Sequence, residues 1–357
     1  MSDAPRIFII AVGARTAVGT NAATTAAAVR ARVCRIGGHP HLVDRAYRPY
    51  MTAEAKWLGD LADCGARMCA LARPAAAEAL AGLSVGGARP GVRLHVFIGL
   101  PTPRAGLARV PVEHLGDDLR AGAKPTADLV SLHSFYDDHA GGVCALSAAV
   151  EHLNTHRTDV CLVGGVDSLL ALDTLDALQA EGRLFTADNP RGLVPGEAAA
   201  FCLVLTEQGC IRLRLPPLAE LDGLGLASES VPLGRPAVCT GAGLSRAFTD
   251  ALATLGSARV DDLLCDLNGE PYRADELAFA LTRTADRFHR PGSSRAPADC
   301  WGDVGAASGA LYLLLAACAW RRGYASGPRT LISTSAAAGA RRAVAVVRQP
   351  GPGWRYP

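Results

Sequence analysis

The same order of one helix and two strands occurs twice along this chain. In the first part the small-residue run "GGVCALSAAVEHL" precedes "DVCLVGG" and then "AAAFCLVL". In the second part "ASGALYLLLAACAW" precedes "RTLIST" and "AVAVVRQ". Identity between the copies is weak, but the order is kept. This predicts two similar halves, with the seam near Gln208 to Arg212 and the halves at 1–208 and 209–357. A chain of 357 residues is long enough for that division.

Other segments fit the same plan. "RIFIIAVGA", "RLHVFIGL", "PPLAELDGLGL" and "DDLLCDLNG" read as strands. "NAATTAAAVRARV" with its Asn cap, "GLSRAFTDALATLG" and "DELAFALTRTADRFH" read as helices. Strands that are apolar on both faces and alternate with helices predict an α/β protein with mostly parallel sheets. The segment Pro103 to Leu129, with its Pro, Gly and charge, reads as a surface excursion, and the tail "PGPGWRYP" as irregular.

Composition excludes several classes. Hydrophobic residues at 49% and charged residues at 20% are those of a globular chain. Lys and Arg total 36 against 34 Asp and Glu, a net of +2, too small to argue for nucleic acid or an anionic membrane. The longest apolar run, Gly305 to Trp320, has 16 residues rich in Ala and Gly and reads as a buried helix. The opening "MSDAPRIFII" lacks the marks of a signal peptide, so a cytoplasmic location is expected. Eleven cysteines without a C-x-x-C pair argue against a disulfide framework or a zinc site. No metal and no cofactor are expected.

The stretch "FYDDHAGGVCALSAAVEHLNTHRTDVCLVGGVDS" reads as a sharp turn, a helix and a buried strand ending in Gly-Gly. A residue on such a turn sits at a helix N-terminus, where backbone N–H groups can hold an anion. That position suits a nucleophile, and here it falls on His139.

These residues resemble the β-ketoacyl synthases of the thiolase superfamily. "RIFIIAVGARTAVG" resembles their opening strand and loop, "VFIGLPTPRAG" their third strand, and "LAELDGLGL" the strand opening the second half. "EGRLFTADNPRGLVPGEAAAFCLVL", with Phe, Asp and Arg followed by Gly-x-Val-x-Gly-Glu, is the most specific match. The resemblance implies a thiolase fold, a duplicated five-layer α-β-α-β-α arrangement that pairs as a homodimer. The strand near Leu129 to Ser134 is the candidate dimer edge.

The resemblance also implies three catalytic slots, Cys, His and His. Counting back from Gly164 puts the nucleophile slot on His139; Cys144 lies within the following helix. "CDLNGEPYRADE" puts Asn268 in the second slot. "APADCWGDVGAASGA" puts Asp303 in the third and Ala298 near the family's Lys. "STSAAAGARRA" puts Ala338 at the gatekeeping aromatic position, beside Gly339, and "VPGEAAA" carries Glu197 close to the site. His139 and Asp303 are expected within hydrogen-bond reach, with the backbone N–H groups of His139 and Ala338 turned to the same floor.

Each replacement changes the chemistry. Acyl-imidazole is labile. Asn268 donates a hydrogen bond but transfers no proton at neutral pH. An ionised Asp303 repels a malonyl carboxylate or an enolate where the family needs donors. Decarboxylative condensation is therefore not supported by these side chains.

Two readings stand. In one, His139 is a polar plug in a silent scaffold that binds an acyl-carrier protein, a synthase subunit or a secretion-effector partner. In the other, a His139–Asp303 dyad serves an atypical acyltransferase or thioesterase acting on acyl thioesters. Tyr136, Asp137 and Asp138 read as a hydrated loop or interface, and Arg341–Arg342 as solvated surface.

Overall fold

The computed structural model describes residues 4–351, apart from 60, 85–90, 109, 111, 125, 236 and 338. The tail beyond Gly351 and the Ala338 position therefore lie outside the described residues. The strands are β1 Ile7–Thr16, β2 Gly37–Val43, β3 Pro49–Thr52, β4 Arg93–Gly99, β5 Asp128–Phe135, β6 Val160–Ser168, β7 Glu197–Thr206, β8 Ala219–Ser228, β9 Asp262–Cys265, β10 Arg329–Ser335 and β11 Arg341–Arg348. The α-helices are α1 Ala22–Arg30, α2 Cys64–Leu80, α3 Val112–Ala123, α4 Gly141–Thr155, α5 Leu172–Ala180, α6 Glu207–Leu213, α7 Ala242–Leu252, α8 Pro271–Arg283, α9 Ala298–Trp301 and α10 Ser308–Arg321.

All strands except β2 and β3 join one sheet in the order β5-β4-β6-β7-β1-β8-β11-β10-β9. Read outward from its middle, one arm runs β1, β7, β6, β4 and the other β8, β11, β10, β9. The helices that lead into β6 and β10, α4 and α10, occupy matching places.

Period-two alternation divides the side chains between layers. Along β7, Ala198, Ala200, Cys202 and Val204 face the core that holds α4 and α10. Ala199, Phe201, Leu203 and Leu205 face the opposite way, toward α2 and α3. On the second arm Ala343, Ala345 and Val347 of β11 face the central core, and Val344 and Val346 face α7 and α8. The layers are thus outer helices, sheet, central helices, sheet and outer helices. In β1 a bulge between Ile9 and Ala11 shifts the alternation, so both Ile9 and Val12 reach the centre.

The sheet is mixed, not mostly parallel. Within it, β4–β5, β4–β6 and β9–β10 are parallel, and the other five pairings are antiparallel. Burial on both faces makes a strand read as a continuous apolar run whatever its direction. The Pro103–Leu129 segment is also more than a surface excursion. It contains α3, whose Leu115, Leu119 and Ala123 cover the outer face of the first arm.

Small residues set the central spacing. A Cβ on Gly142 would stand 3.2 Å from Ala310 N and 3.4 Å from Gly309 Cα. One on Gly165 would stand 2.1 Å from Ala306 O, so the Gly-Gly end of β6 lets the turn before α10 rest on the sheet. Ala307 is fully enclosed there. Ala307→Leu is expected to overpack this contact and cost about 1–3 kcal/mol, read as a lower denaturant midpoint at unchanged slope.

Candidate functional site

The turn after β5 is built around Asp138. Its φ of +46° is the left-handed region, uncommon outside glycine. It is buried, and its Oδ1 accepts from Thr102 N and Thr102 Oγ1, each at 2.8 Å. The expected hydrated loop is thus, at Asp138, a buried anchor tied to the segment after β4. His139 follows, 5% exposed, immediately before α4.

Asp303 reaches the same place from the loop between α9 and α10. That loop is held by Asp303 N donating to Val194 O at 2.6 Å and Gly196 N donating to Asp303 O at 2.8 Å. Asp303 Oδ1 lies 2.6 Å from His139 Nε2 and accepts from Gly305 N at 2.9 Å. Its Oδ2 accepts from Asn268 Nδ2 at 2.6 Å. Burial would raise the Asp303 carboxyl, but His139, Arg273 and Asn268 together hold it well below the usual carboxylate range. The structure therefore brings His139, Asn268 and Asp303 together.

A fourth member, which the sequence reading did not name, joins them from α8. Arg273, in the first turn of α8 and fully enclosed, places Nη2 3.2 Å from His139 Nδ1. Its Nη1 donates to Asp266 Oδ2 at 2.7 Å and to Ser335 O at 3.0 Å. A guanidinium only donates and an ionised carboxylate only accepts. These contacts therefore assign Nδ1 of His139 as acceptor and Nε2–H as donor, and both ring nitrogens are occupied.

The polar network extends further. Glu270 accepts from Asn268 and from Arg183 Nε at 2.7 Å. Glu276 on α8 accepts from Ser335 Oγ at 2.8 Å and from Arg342 Nε. Arg342 also meets the Tyr272 hydroxyl. Arg342 is fully enclosed, not solvated as its sequence suggested, while its neighbour Arg341 is exposed. Alternation along β11 turns the two to opposite faces. A sequence signal for this network did exist. The buried positions of α8 are 273, 276, 277 and 280, one helical stripe that carries Arg and Glu beside Leu and Ala.

The other candidates fall as follows. Cys144 is buried in the central core, and burial pushes its thiol up to about 12, leaving no thiolate for attack. Glu197 is fully enclosed. It accepts from Arg67 Nε at 2.8 Å, Ser168 Oγ at 3.0 Å and Ala55 N at 2.8 Å. Gly339 O accepts from Arg342 Nη1 at 3.1 Å. A cavity of about 310 Å³ opens on the other side of His139, lined among others by Arg104, Asp167, Leu178, Leu193 and Asp303. Arg104 Nη2 and Asp167 Oδ1 pair at 2.6 Å on its wall.

Comparison with known proteins agrees with this geometry. The family model described as "Beta-ketoacyl synthase, N-terminal domain" matches residues 138–209, the stretch from the elbow to the first turn of α6. Nodulation protein E of Rhizobium leguminosarum bv. trifolii is 29% identical over 106 residues, covering 28% of this chain and 26% of that protein. Nodulation protein E of Rhizobium sp. (strain N33) is 31% identical over 101 residues, covering 26% and 25%. The matches thus span about a quarter of these curated relatives.

Solved structures match almost the whole chain. The ketosynthase from module 6 of the bacillaene synthase of Bacillus subtilis 168 has TM-score 0.77 at 13% identity, covering 97% of this chain and 72% of that one. The ishigamide ketosynthase/chain length factor has TM-score 0.77 at 18%, covering 97% and 100%. A type II polyketide synthase ketosynthase, solved in complex with its acyl-carrier protein, has TM-score 0.78 at 14%, covering 98% and 100%. The architecture is the thiolase fold. Residues 138–209 match the β-ketoacyl synthase N-terminal domain, and almost the whole chain shares its fold with solved ketosynthases.

Proposed function

We propose that this protein is a non-condensing, ketosynthase-like scaffold of the cytoplasm, built of halves 1–208 and 209–357. It binds a carrier or synthase partner and does not form carbon–carbon bonds. The observation that carries this reading is the occupied imidazole. His139 gives Nε2–H to Asp303 at 2.6 Å and receives Arg273 at Nδ1, so neither nitrogen is free to attack a thioester or take a proton. Asp303, held ionised, presents negative charge where a condensing enzyme stabilises an anion.

The partner we favour is an acyl-carrier protein, since a ketosynthase of the same fold is solved with one. A synthase subunit or a secretion-effector protein are the other outcomes. A second copy is proposed to pair along β5, an edge strand of the sheet with Val130 exposed. The dyad reading draws on one observation, that His139 and Asp303 also line the 310 Å³ cavity.

Incubation with acyl- and malonyl-thioesters of coenzyme A and of carrier protein is expected to leave the intact mass unchanged and to give no condensation product. Native mass spectrometry of the same mixtures is expected to show a carrier complex. Turnover that disappears in both His139→Ala and Asp303→Ala, with the circular dichroism spectrum unchanged, would establish the dyad instead. An acyl adduct on Cys144 would restore a condensing enzyme.

A further inference from the structure

We propose that His95, His152 and Asp159 form a site for one divalent transition-metal ion of the zinc class, at the end of α4 remote from His139. Their three ligand atoms lie within 4.8 Å of one another. Asp159 Oδ2 is 3.0 Å from His95 Nε2 and 3.1 Å from His152 Nε2. Ligand atoms around a tetrahedral zinc, with bonds of about 2.0–2.1 Å, stand roughly 3.3 Å apart, so two sides of the ligand triangle are already near their bound length.

The chemistry of His95 makes this more than a buried polar cluster. His95 is 4% exposed, and its Nε2, although 3.0 Å from Asp159 Oδ2, is among the buried polar atoms without a hydrogen-bond partner. Its Nδ1 lies 2.8 Å from Ser131 Oγ, which in turn lies 2.9 Å from His133 Nε2. In the tautomer that gives Nδ1–H to Ser131, Nε2 is a bare lone pair facing a carboxylate oxygen. A cation between them resolves that repulsion. The Ser131 contact is also the outer-shell hydrogen bond that fixes the tautomer of metal-bound histidines.

The remaining groups agree. Asp159 Oδ1 faces Arg93 Nε at 3.5 Å, leaving Oδ2 for the metal. His152 shares a proton with Asp159 that the metal would displace, as ligation generally does. With 17% of its side chain exposed, His152 opens the site to solvent, which leaves a fourth position for water or an exogenous ligand. Two imidazoles and one carboxylate suit zinc rather than calcium or magnesium. The other cluster of comparable spacing among the described residues is Glu229, Cys239 and Glu276. Its Glu276 is already engaged by Arg342 and Ser335, and Glu229 by Gly243 N.

The test is Zn²⁺ titration of untagged protein by calorimetry and by competition with a chromophoric chelator, followed by Co²⁺ substitution. One ion per chain is expected, with imidazole–carboxylate bands in the visible spectrum of the cobalt form. His152→Ala is expected to lower affinity by more than tenfold and Ser131→Ala by about tenfold. The absence of saturable one-to-one binding would overturn the proposal. So would affinity unchanged in both His152→Ala and Asp159→Asn, or a thiolate charge-transfer band from the cobalt form. The last readout needs no variant and decides the matter even where a substitution fails to fold.

Discussion

Asp303→Asn is expected to lower the free energy of unfolding by about 3–5 kcal/mol at pH 7, because it removes one partner from a buried charge network. The carboxylate takes donors on both oxygens, from His139, Gly305 and Asn268. An amide of the same shape offers one acceptor oxygen, and its NH₂ then confronts the NH₂ of Asn268. Arg273 also loses a nearby countercharge. The pH dependence has a definite sign. The folded-state pKa of Asp303 is depressed, so its contribution is complete above the unfolded value of about 3.9 and is lost as pH falls toward the folded one. The gap between the native protein and Asp303→Asn should therefore narrow below about pH 4. Denaturant titrations of both proteins at pH 7 and pH 3 check this, and a gap that stays constant would mean that Asp303 is not ionised in the folded chain.

Glu197→Ala is expected to cost a similar amount, about 3–5 kcal/mol, by isolating Arg67, which is 5% exposed. Glu197 joins the start of β7 to α2 through Arg67 and to the end of β6 through Ser168. Without it the guanidinium keeps Leu61 O at 2.6 Å and Glu54 at 3.6 Å. Removing both charges with Arg67→Leu and Glu197→Leu together should cost less than Glu197→Ala alone. A double variant as unstable as the sum of its singles would show that the pair is not a coupled unit.

The parts of the fold that were legible in the sequence are those with a local signature. β6, β7 and β11 announce themselves as apolar runs, and α4 and α10 through their small residues. The convergence of His139 and Asp303 followed from the family resemblance, with His139 counted back from Gly164 and Asp303 placed by "APADCWGDVGAASGA". The parts that were not legible depend on partners far away in the chain. Strand direction leaves no mark when both faces are buried. The β2–β3 pair is short and polar, and α3 is amphipathic within a segment whose Gly and Pro read as loop. Arg342 reads as surface charge in the sequence, as isolated Arg usually is, and Arg273 and Glu276 carry no assigned role there. Arg342 is neutralised by Glu276 66 residues away and Arg273 reaches His139 134 residues away, both beyond any local pattern, although the charge of Arg273 is met by Asp266 only seven residues away. The helical stripe of α8 was the one cue, and it required accepting charge on a buried face.

The two ends of the sheet are not equivalent, and this bounds how copies of the chain can assemble. β5 is eight residues long and has no counterpart on the second arm. At the other end, β9 is four residues long, and its outer side is already bonded by the 287–295 segment, through Val260 N to Arg287 O at 2.9 Å and Arg295 N to Leu263 O at 2.8 Å. A strand that pairs with its own copy antiparallel uses itself up, and nothing equivalent is on offer at the far end. The β5 pairing proposed above would therefore close at two bodies and would not propagate into a fibre.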